Sequence, residues 1–475
     1  MFLFAALIPF SIGIIQYLYP KKTKEFSIVN YLFTILIITF SKPQSLYLSS
    51  NNIFNGIELE FNIEIKLLLI LMNIFFMIIF FKSYKKYSKI FILLWFMLNG
   101  SLNTFFTTRD FFNIYVHLEL ISMLIFLLIA LDRDEKKIWA SLKYMFLSSI
   151  AFEIYLIGVA IIYKDTGSIN INYVINHGNI SQLALEFIIV GVLIKSGFFF
   201  ISGWLENAHG EAVYGISPIL SGIIVKLGLA IIFLIIPLLN AQNRELLITY
   251  AYISSIMGGV FMVLEKNLKK MLAYSTMVST SYMLIVIIQN PNSFFYFFIT
   301  DMFIKGFLFM GADEIKSITK EKVIKKIKKT KIPLSLYVLI VLNLFLITGI
   351  YPSIINNIKY ELIINNNILY VGYFLYGAFV YKILKNLSFN KTFNFNYWYA
   401  YIITFSFLIS SFFILDFHIK EFFIEIVLFI LGVLSYRMIE KSEKIKKIDL
   451  SVVHKFDFTI IYQITILLII LIINT

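Results

Sequence analysis

Apolar runs follow one another along the whole 475-residue chain, separated by short polar links and never by a long soluble insertion. A helix needs about 20 apolar residues to cross a hydrocarbon core of about 30 Å. Inside lipid the backbone must also satisfy its own N–H and C=O groups, so only helices and closed barrels can span. Runs of helical length lie near residues 2–19, 27–42, 63–81, 90–107, 111–131, 138–163, 182–205, 216–238, 246–264, 271–289, 293–312, 334–350 with a continuation to 363, 367–381, 397–415, 420–436 and 457–473, about sixteen in all. With 59% apolar residues, 15% charged residues and a mean hydropathy of +0.84, the chain lies far outside the soluble range. The expectation is an all-α polytopic membrane protein in one continuous domain.

The first run, MFLFAALIPFSIGIIQYLY, has no basic residue before it and Lys21 and Lys22 after it, and it lacks a small-residue cleavage site. It reads as a first spanning helix rather than a signal peptide. The chain has no cysteine, which excludes disulfides and thiolate-held zinc or iron–sulfur centres within it. No metal or nucleotide motif is present. We therefore expect no cofactor, no metal ligand, no nucleic-acid partner and no catalytic residue in this chain.

Charge then fixes a topology. Thirty of the 41 Lys and Arg residues fall in loops on one side, against five on the other: Lys42, Arg109, Lys164, Arg244 and Lys420. The positive-inside rule places the basic loops in the cytoplasm and both termini outside. The run ITKEKVIKKIKKTK reads as a solvated loop on that side, near anionic headgroups. Part of the +13 net charge belongs with the Phe, Ile, Asn and Lys excess of an AT-rich coding sequence.

Six cations remain inside or at the edge of spans: Lys66, Lys143, Lys195, Lys226, Lys305 and Lys359. Lys195, Lys226 and Lys305 sit near mid-span, and Glu119, Glu153 and Asp301 share that depth. A charge there costs about 2.5–3.5 kcal/mol on insertion scales, so such groups pair, face water or carry function. Two readings stand side by side. Asp301 and Lys305, one turn apart at i, i+4, favour a structural ion pair. Glu119, Lys195 and Lys226 lie on different helices and favour a proton relay, because a lysine in a dry site changes its proton affinity readily.

The segment KSGFFFISGWLENAHGEAVYGISPILSGIIVKLG, Lys195 to Gly228, resembles a signature of the antiporter-like membrane subunits. These are shared by multisubunit cation/proton (Mrp-type) antiporters, membrane-bound hydrogenases and the respiratory NADH:quinone oxidoreductase. Further segments resemble the family in order: RDFFNIYVHLELISM, LKYMFLSSIAFEIYLIG, EKNLKKMLAYSTMVSTSYML, DMFIKGFLFMGADEI and GIYPSIINNIKYEL. The resemblance covers most of residues 90 to 360 and implies a core of about fourteen helices. Helices 4–8 and 9–13 would form inverted five-helix repeats, with helices 7 and 12 broken mid-membrane and about two C-terminal helices added. The corresponding segments are 1–89 for helices 1–3, 90–238 and 246–385 for the two repeats, and 397–475 for the C-terminal helices. The element KIDLSVVHKFDFTIIYQI resembles one found in the antiporter and hydrogenase branches.

By the same resemblance, Glu119 pairs with Lys195, Lys226 is the central relay lysine, Lys359 faces the outer exit, and Pro352 marks the break in helix 12. The chain departs from the family where Ser202 and Asp301 stand in place of histidines, and where Phe200, Tyr214 and Tyr351 replace prolines. Ser202 can still hold a water and Asp301 can still titrate, so the chain reads as a diverged pump. Lys305, Glu153 and His209 complete a secondary polar set. His209 is expected in a cytoplasmic turn, as a proton entry group or a plain loop residue, and His117 as a packing histidine.

The function implied is a proton- or Na⁺-translocating subunit of a multisubunit complex in the cell membrane, in preference to the mitochondrial inner membrane. Its partners would be lipid, other hydrophobic subunits and, in a redox-driven complex, soluble iron–sulfur or flavin subunits. A non-conducting scaffold and an independent secondary transporter are the alternatives.

Overall fold

Polar caps decide where the apolar runs begin as helices. Asn62, Ser88, Asp110, Asp134, Asn240 and Asn267 each accept a hydrogen bond from a backbone N–H in the first turn that follows. The computed structural model describes residues 2–441 except 49–53, 55, 85–86, 329, 354, 357, 360–361, 363–366, 393–396 and 415–418. The sixteenth apolar run and the element KIDLSVVHKFDFTIIYQI lie outside the described residues.

The helices are α1 (Phe4–Leu18), α2 (Thr23–Phe40), α3 (Ile63–Ser83), α4 (Lys89–Thr107), α5 (Phe111–Ala130), α6 (Glu135–Thr166), α7 (Ile171–His177), α8 (Gln182–Lys195), α9 (Gly203–Glu211), α10 (Ile216–Gly222), α11 (Leu227–Ile235), α12 (Ala241–Leu264), α13 (Leu268–Gln289), α14 (Phe294–Thr319), α15 (Ile324–Ile327), α16 (Leu334–Thr348), α17 (Tyr370–Lys385), α18 (Trp398–Ile414) and α19 (Ile419–Lys441). Among the described residues nine helical stretches are long and apolar enough to cross a membrane. The seventh run is divided between α8 and α9, and the eighth between α10 and α11. The short α7 and the strands described next have no counterpart among the expected spans.

Contacts between loops gather them at two ends. At one end, an antiparallel hairpin of β1 (Gln44–Leu48) and β2 (Ile57–Phe61) holds the start of α5: Arg109 Nε lies 2.9 Å from Glu60, and Asn170 donates to Glu58 at 2.9 Å. At the other, Lys322 pairs with Glu211 at 2.6 Å, Ile324 N–H donates to the Lys266 carbonyl at 3.0 Å, and Lys382 donates to the Glu265 carbonyl. These are the two loop sets that the charge count separates. ITKEKVIKKIKKTK is accordingly tied to α9 through Lys322 rather than wholly solvated.

Close helix contacts replace hydrophobic attraction, which is absent between helices in lipid. Gly158 of α6 packs on α8 and Gly191 of α8 packs back on α6; an added Cβ would stand 2.7 Å from the Ala184 carbonyl oxygen and 2.5 Å from that of Ala151. The pair of glycines seats the end of α8, and with it Lys195, against α6.

Candidate ion-translocation site

Three interruptions in helices place Lys195, Lys226 and Lys359. α8 stops at Lys195, and the chain passes through Gly197 (φ 66°) and Phe200 (φ 72°) before α9 starts at Gly203. A bulky residue at positive φ is strained and persists only where its surroundings hold it. They do: Phe199 N–H donates to Ser254 Oγ at 3.0 Å, Tyr250 OH donates to the Phe199 carbonyl, and Trp204 Nε1 donates to the Ile194 carbonyl at 3.2 Å. The break therefore survives without proline at Phe200.

The second interruption goes beyond what the sequence led us to expect. α10 ends at Gly222, Ile223 adopts φ −132° and ψ −56°, and a single 3₁₀ turn, Ile224–Lys226, precedes α11. Lys226 stands at this discontinuity. Gly222 followed by three β-branched residues, Ile223, Ile224 and Val225, is a poor helical sequence and was the available signal.

The third follows α16, where Gly349 at φ 77° forms a left-handed cap. The carbonyls exposed there are taken up by side chains from the next segment: Ser353 donates to Leu346 O at 2.6 Å, Asn356 to Gly349 O at 2.8 Å and Lys359 to Thr348 O at 2.7 Å. Pro352 lies in this interruption, and the Lys359 ammonium sits at the negative end of the α16 dipole.

Around these breaks the charges are arranged as follows. Lys195 is buried and donates to Tyr144 OH at 2.6 Å, Ser122 Oγ at 2.7 Å and Ser148 Oγ at 3.2 Å, with the Tyr144 ring 4.4 Å from its nitrogen. It forms no ion pair among the described residues. Glu119 is half-buried and only within electrostatic range of Lys195 and Glu153, so the expected Glu119–Lys195 pair is a through-space interaction rather than a contact. Glu153 is exposed on α6.

Asp301 corrects a second expectation. Its carboxylate pairs with Lys226 at 2.8 Å, both side chains fully buried, while Lys305 donates to Ser275 Oγ at 2.6 Å. The i, i+4 spacing loses because α10 and α14 pack together and bring Lys226 to the carboxylate. Asp301 also lies within electrostatic range of Lys305 and Lys359. One carboxylate thus stands among three lysines.

Lys359 is enclosed by the rings of Tyr282, Tyr373 and Tyr376, at 4.9, 5.5 and 4.8 Å from its nitrogen. Ser196 Oγ is buried without a hydrogen-bond partner among the described residues, against Gly228. A Cβ on Gly228 would fall 2.3 Å from Ser196 Oγ and 2.6 Å from the Val192 carbonyl oxygen. Gly228→Val is therefore expected to cost about 1–3 kcal/mol by overpacking, seen as a lower detergent-unfolding midpoint.

His209 lies within α9, not in a turn; it is fully buried, stacked 4.6 Å from the Phe309 ring, with neither ring nitrogen hydrogen-bonded among the described residues. Lys305 and Lys269, the latter in a buried pair with Asp313, lie within electrostatic range of it. Ser202 is half-buried at the start of α9, away from any side-chain hydrogen bond among the described residues. His117 is half-buried, 3.4 Å from Thr104 Oγ1, as a packing residue.

Interrupted helices that bring buried lysines and a buried carboxylate together lie within a polytopic membrane protein. Residues 108–385, more than half of the chain, match the family described as NADH:quinone oxidoreductase/Mrp antiporter, TM, and the chain belongs to it. It is 28% identical over 229 residues to a subunit of the Na(+)/H(+) antiporter of Bacillus subtilis (strain 168). That match covers 45% of this chain and 46% of the relative, so the chain spans about half the length of that protein. The fold is similar to a chain of the archaeal membrane-bound sulfane sulfur reductase (MBS), with TM-score 0.76 and 18% identity over 91% of this chain and 98% of that one. It is also similar to a chain of the Mrp complex from Dietzia sp. DQ12-45-1b, with TM-score 0.72 and 16% identity over 82% and 80%. At such identities these are likenesses of fold.

Proposed function

We propose that this chain is a proton-translocating subunit of a multisubunit complex in the cell membrane, with Na⁺ as the alternative coupling ion. The observation that carries the reading is the buried Lys226–Asp301 pair, set at a helix interruption and within reach of Lys305 and Lys359. Fixed structural pairs do not need a third and fourth cation beside them, whereas a shared carboxylate lets one proton's movement alter the next site. Coulomb energies between such groups are about 4 kcal/mol at 4 Å with an effective dielectric near 20.

In this mechanism a change at a neighbouring subunit alters the field of Glu119 on Lys195, whose three hydroxyl partners hold it in place. The shift passes to Lys226 and Asp301, then to Lys359, which exchanges with the outer side. His209, within electrostatic range of Lys305 and Lys269, is the entry group from the cytoplasmic side, and Ser202 and Glu153 are secondary. The fourteen-helix core with inverted repeats at 90–238 and 246–385 belongs to the same proposal. Other hydrophobic subunits are the partners, as the relatives' names as complex subunits support; soluble iron–sulfur or flavin subunits apply only in a redox-driven complex.

Glu119→Gln and Lys226→Ala are each expected to reduce proton movement to background in inside-out vesicles carrying the native complex. Wild-type flux in either variant would sink the relay. Full flux after neutralising all central charges would favour a scaffold.

A further inference from the structure

The α19 helix supplies a buried carboxylate that lies outside the matched residues 108–385. Glu425 is 2% exposed and accepts hydrogen bonds from Tyr373 OH at 2.8 Å, from Asn356 Nδ2 at 3.1 and 3.2 Å, and from the backbone of Tyr351. Each of these donors belongs to the surroundings of Lys359. Tyr373 turns its ring to the ammonium, Asn356 also caps the Gly349 carbonyl, and Tyr351 lies in the interruption itself.

Lys359 is meanwhile held by carbonyls, donating to Thr348 O at 2.7 Å and lying 3.5 Å from Ile347 O. Its stem packs on Gly349, where an added Cβ would stand 2.5 Å from Lys359 Cδ. The charged and titratable groups facing it are Asp301 and Lys305 from α14, Tyr282 from α13, Tyr373 and Tyr376 from α17, and Glu425 from α19. Asp301 is already engaged by Lys226, so Glu425 is the carboxylate left to face this lysine.

We propose that Glu425 is a positioning residue for the outer end of the relay: anchored by Asn356 and Tyr373, it holds the field in which Lys359 gives up its proton. The inference rests on the relay reading above. A buried carboxylate is costly unless donors satisfy it and a cation faces it, and this site provides both. Its consequence is that a helix beyond the repeats would tune exit without touching the transported proton.

The test is proton movement as a function of pH in inside-out vesicles carrying the intact complex. Glu425→Gln keeps the hydrogen-bonding shape but removes the charge, and is expected to move the midpoint of the profile by about one pH unit toward acid. Glu425→Asp is expected to return most of that shift, and Glu421→Gln, half-buried on the same helix, to leave the midpoint in place. A uniform loss of amplitude with an unmoved midpoint in Glu425→Gln would mean a structural role and overturn the proposal. The parallel Glu119→Gln variant, which breaks no buried ion pair, separates the two claims: if it retains full flux the relay itself fails, and if it abolishes flux while Glu425→Gln keeps the wild-type profile, only the role of Glu425 fails.

Discussion

Lys195→Met is expected to abolish proton movement while lowering the stability of the protein by no more than about 3 kcal/mol. The lysine is buried with three hydroxyl partners and no ion pair among the described residues. An unpaired cation at mid-membrane carries a penalty of about 2.5–3.5 kcal/mol, which methionine of similar shape removes. Against that gain stand three lost hydrogen bonds from a charged donor, each worth about 1.5–3 kcal/mol. Tyr144 and Ser122 are already 3.4 Å apart and can bond each other once the ammonium is gone. Detergent-unfolding midpoints and vesicle flux measured on one preparation check both halves: retained flux would remove Lys195 from the relay, and a loss of several kcal/mol would make it a structural cation.

The sequence made the helical character of the apolar runs and the burial of Lys195, Lys226, Lys305 and Lys359 readable, since each follows from local composition, whereas the buried Lys269 and Lys382 fell among residues assigned to loops. Charge partners were less readable. Asp301 and Lys305 satisfy a helical spacing rule, yet Asp301 pairs with Lys226 because contact between α10 and α14 is a property of packing, not of spacing. Lys195 faces hydroxyls rather than Glu119 for a similar reason: Gly158 and Gly191 bring α6 and α8 so close that Tyr144 and Ser148 reach the ammonium. The β1–β2 hairpin did have a signal, since Ile57, Leu59 and Phe61 alternate with Glu58 and Glu60, but the long flanking apolar runs masked it. Glu425 did carry a local signal, an acidic residue inside the apolar run 420–436, but only the fold brings it to Asn356 and Tyr373.

The Lys226–Asp301 pair should behave in the opposite way to Lys195. Lys226→Met leaves the Asp301 carboxylate buried without its cation, and Asp301→Asn leaves the ammonium buried without its anion. Breaking a buried pair from one side costs about 3–5 kcal/mol, so both single variants are expected to unfold at markedly lower detergent or temperature. Replacing the whole pair with apolar residues is commonly neutral or stabilising by about 1–4 kcal/mol. The double variant Lys226→Met with Asp301→Leu should therefore recover part of the lost stability, since Lys305 keeps its Ser275 hydrogen bond but, like Lys359, loses the Asp301 charge. Proton movement should stay at background in all three. That pattern separates charge transfer from architecture: a double variant that regains stability and flux together would make the pair a structural tie, whereas regained stability with no flux would place the two charges on the proton's path.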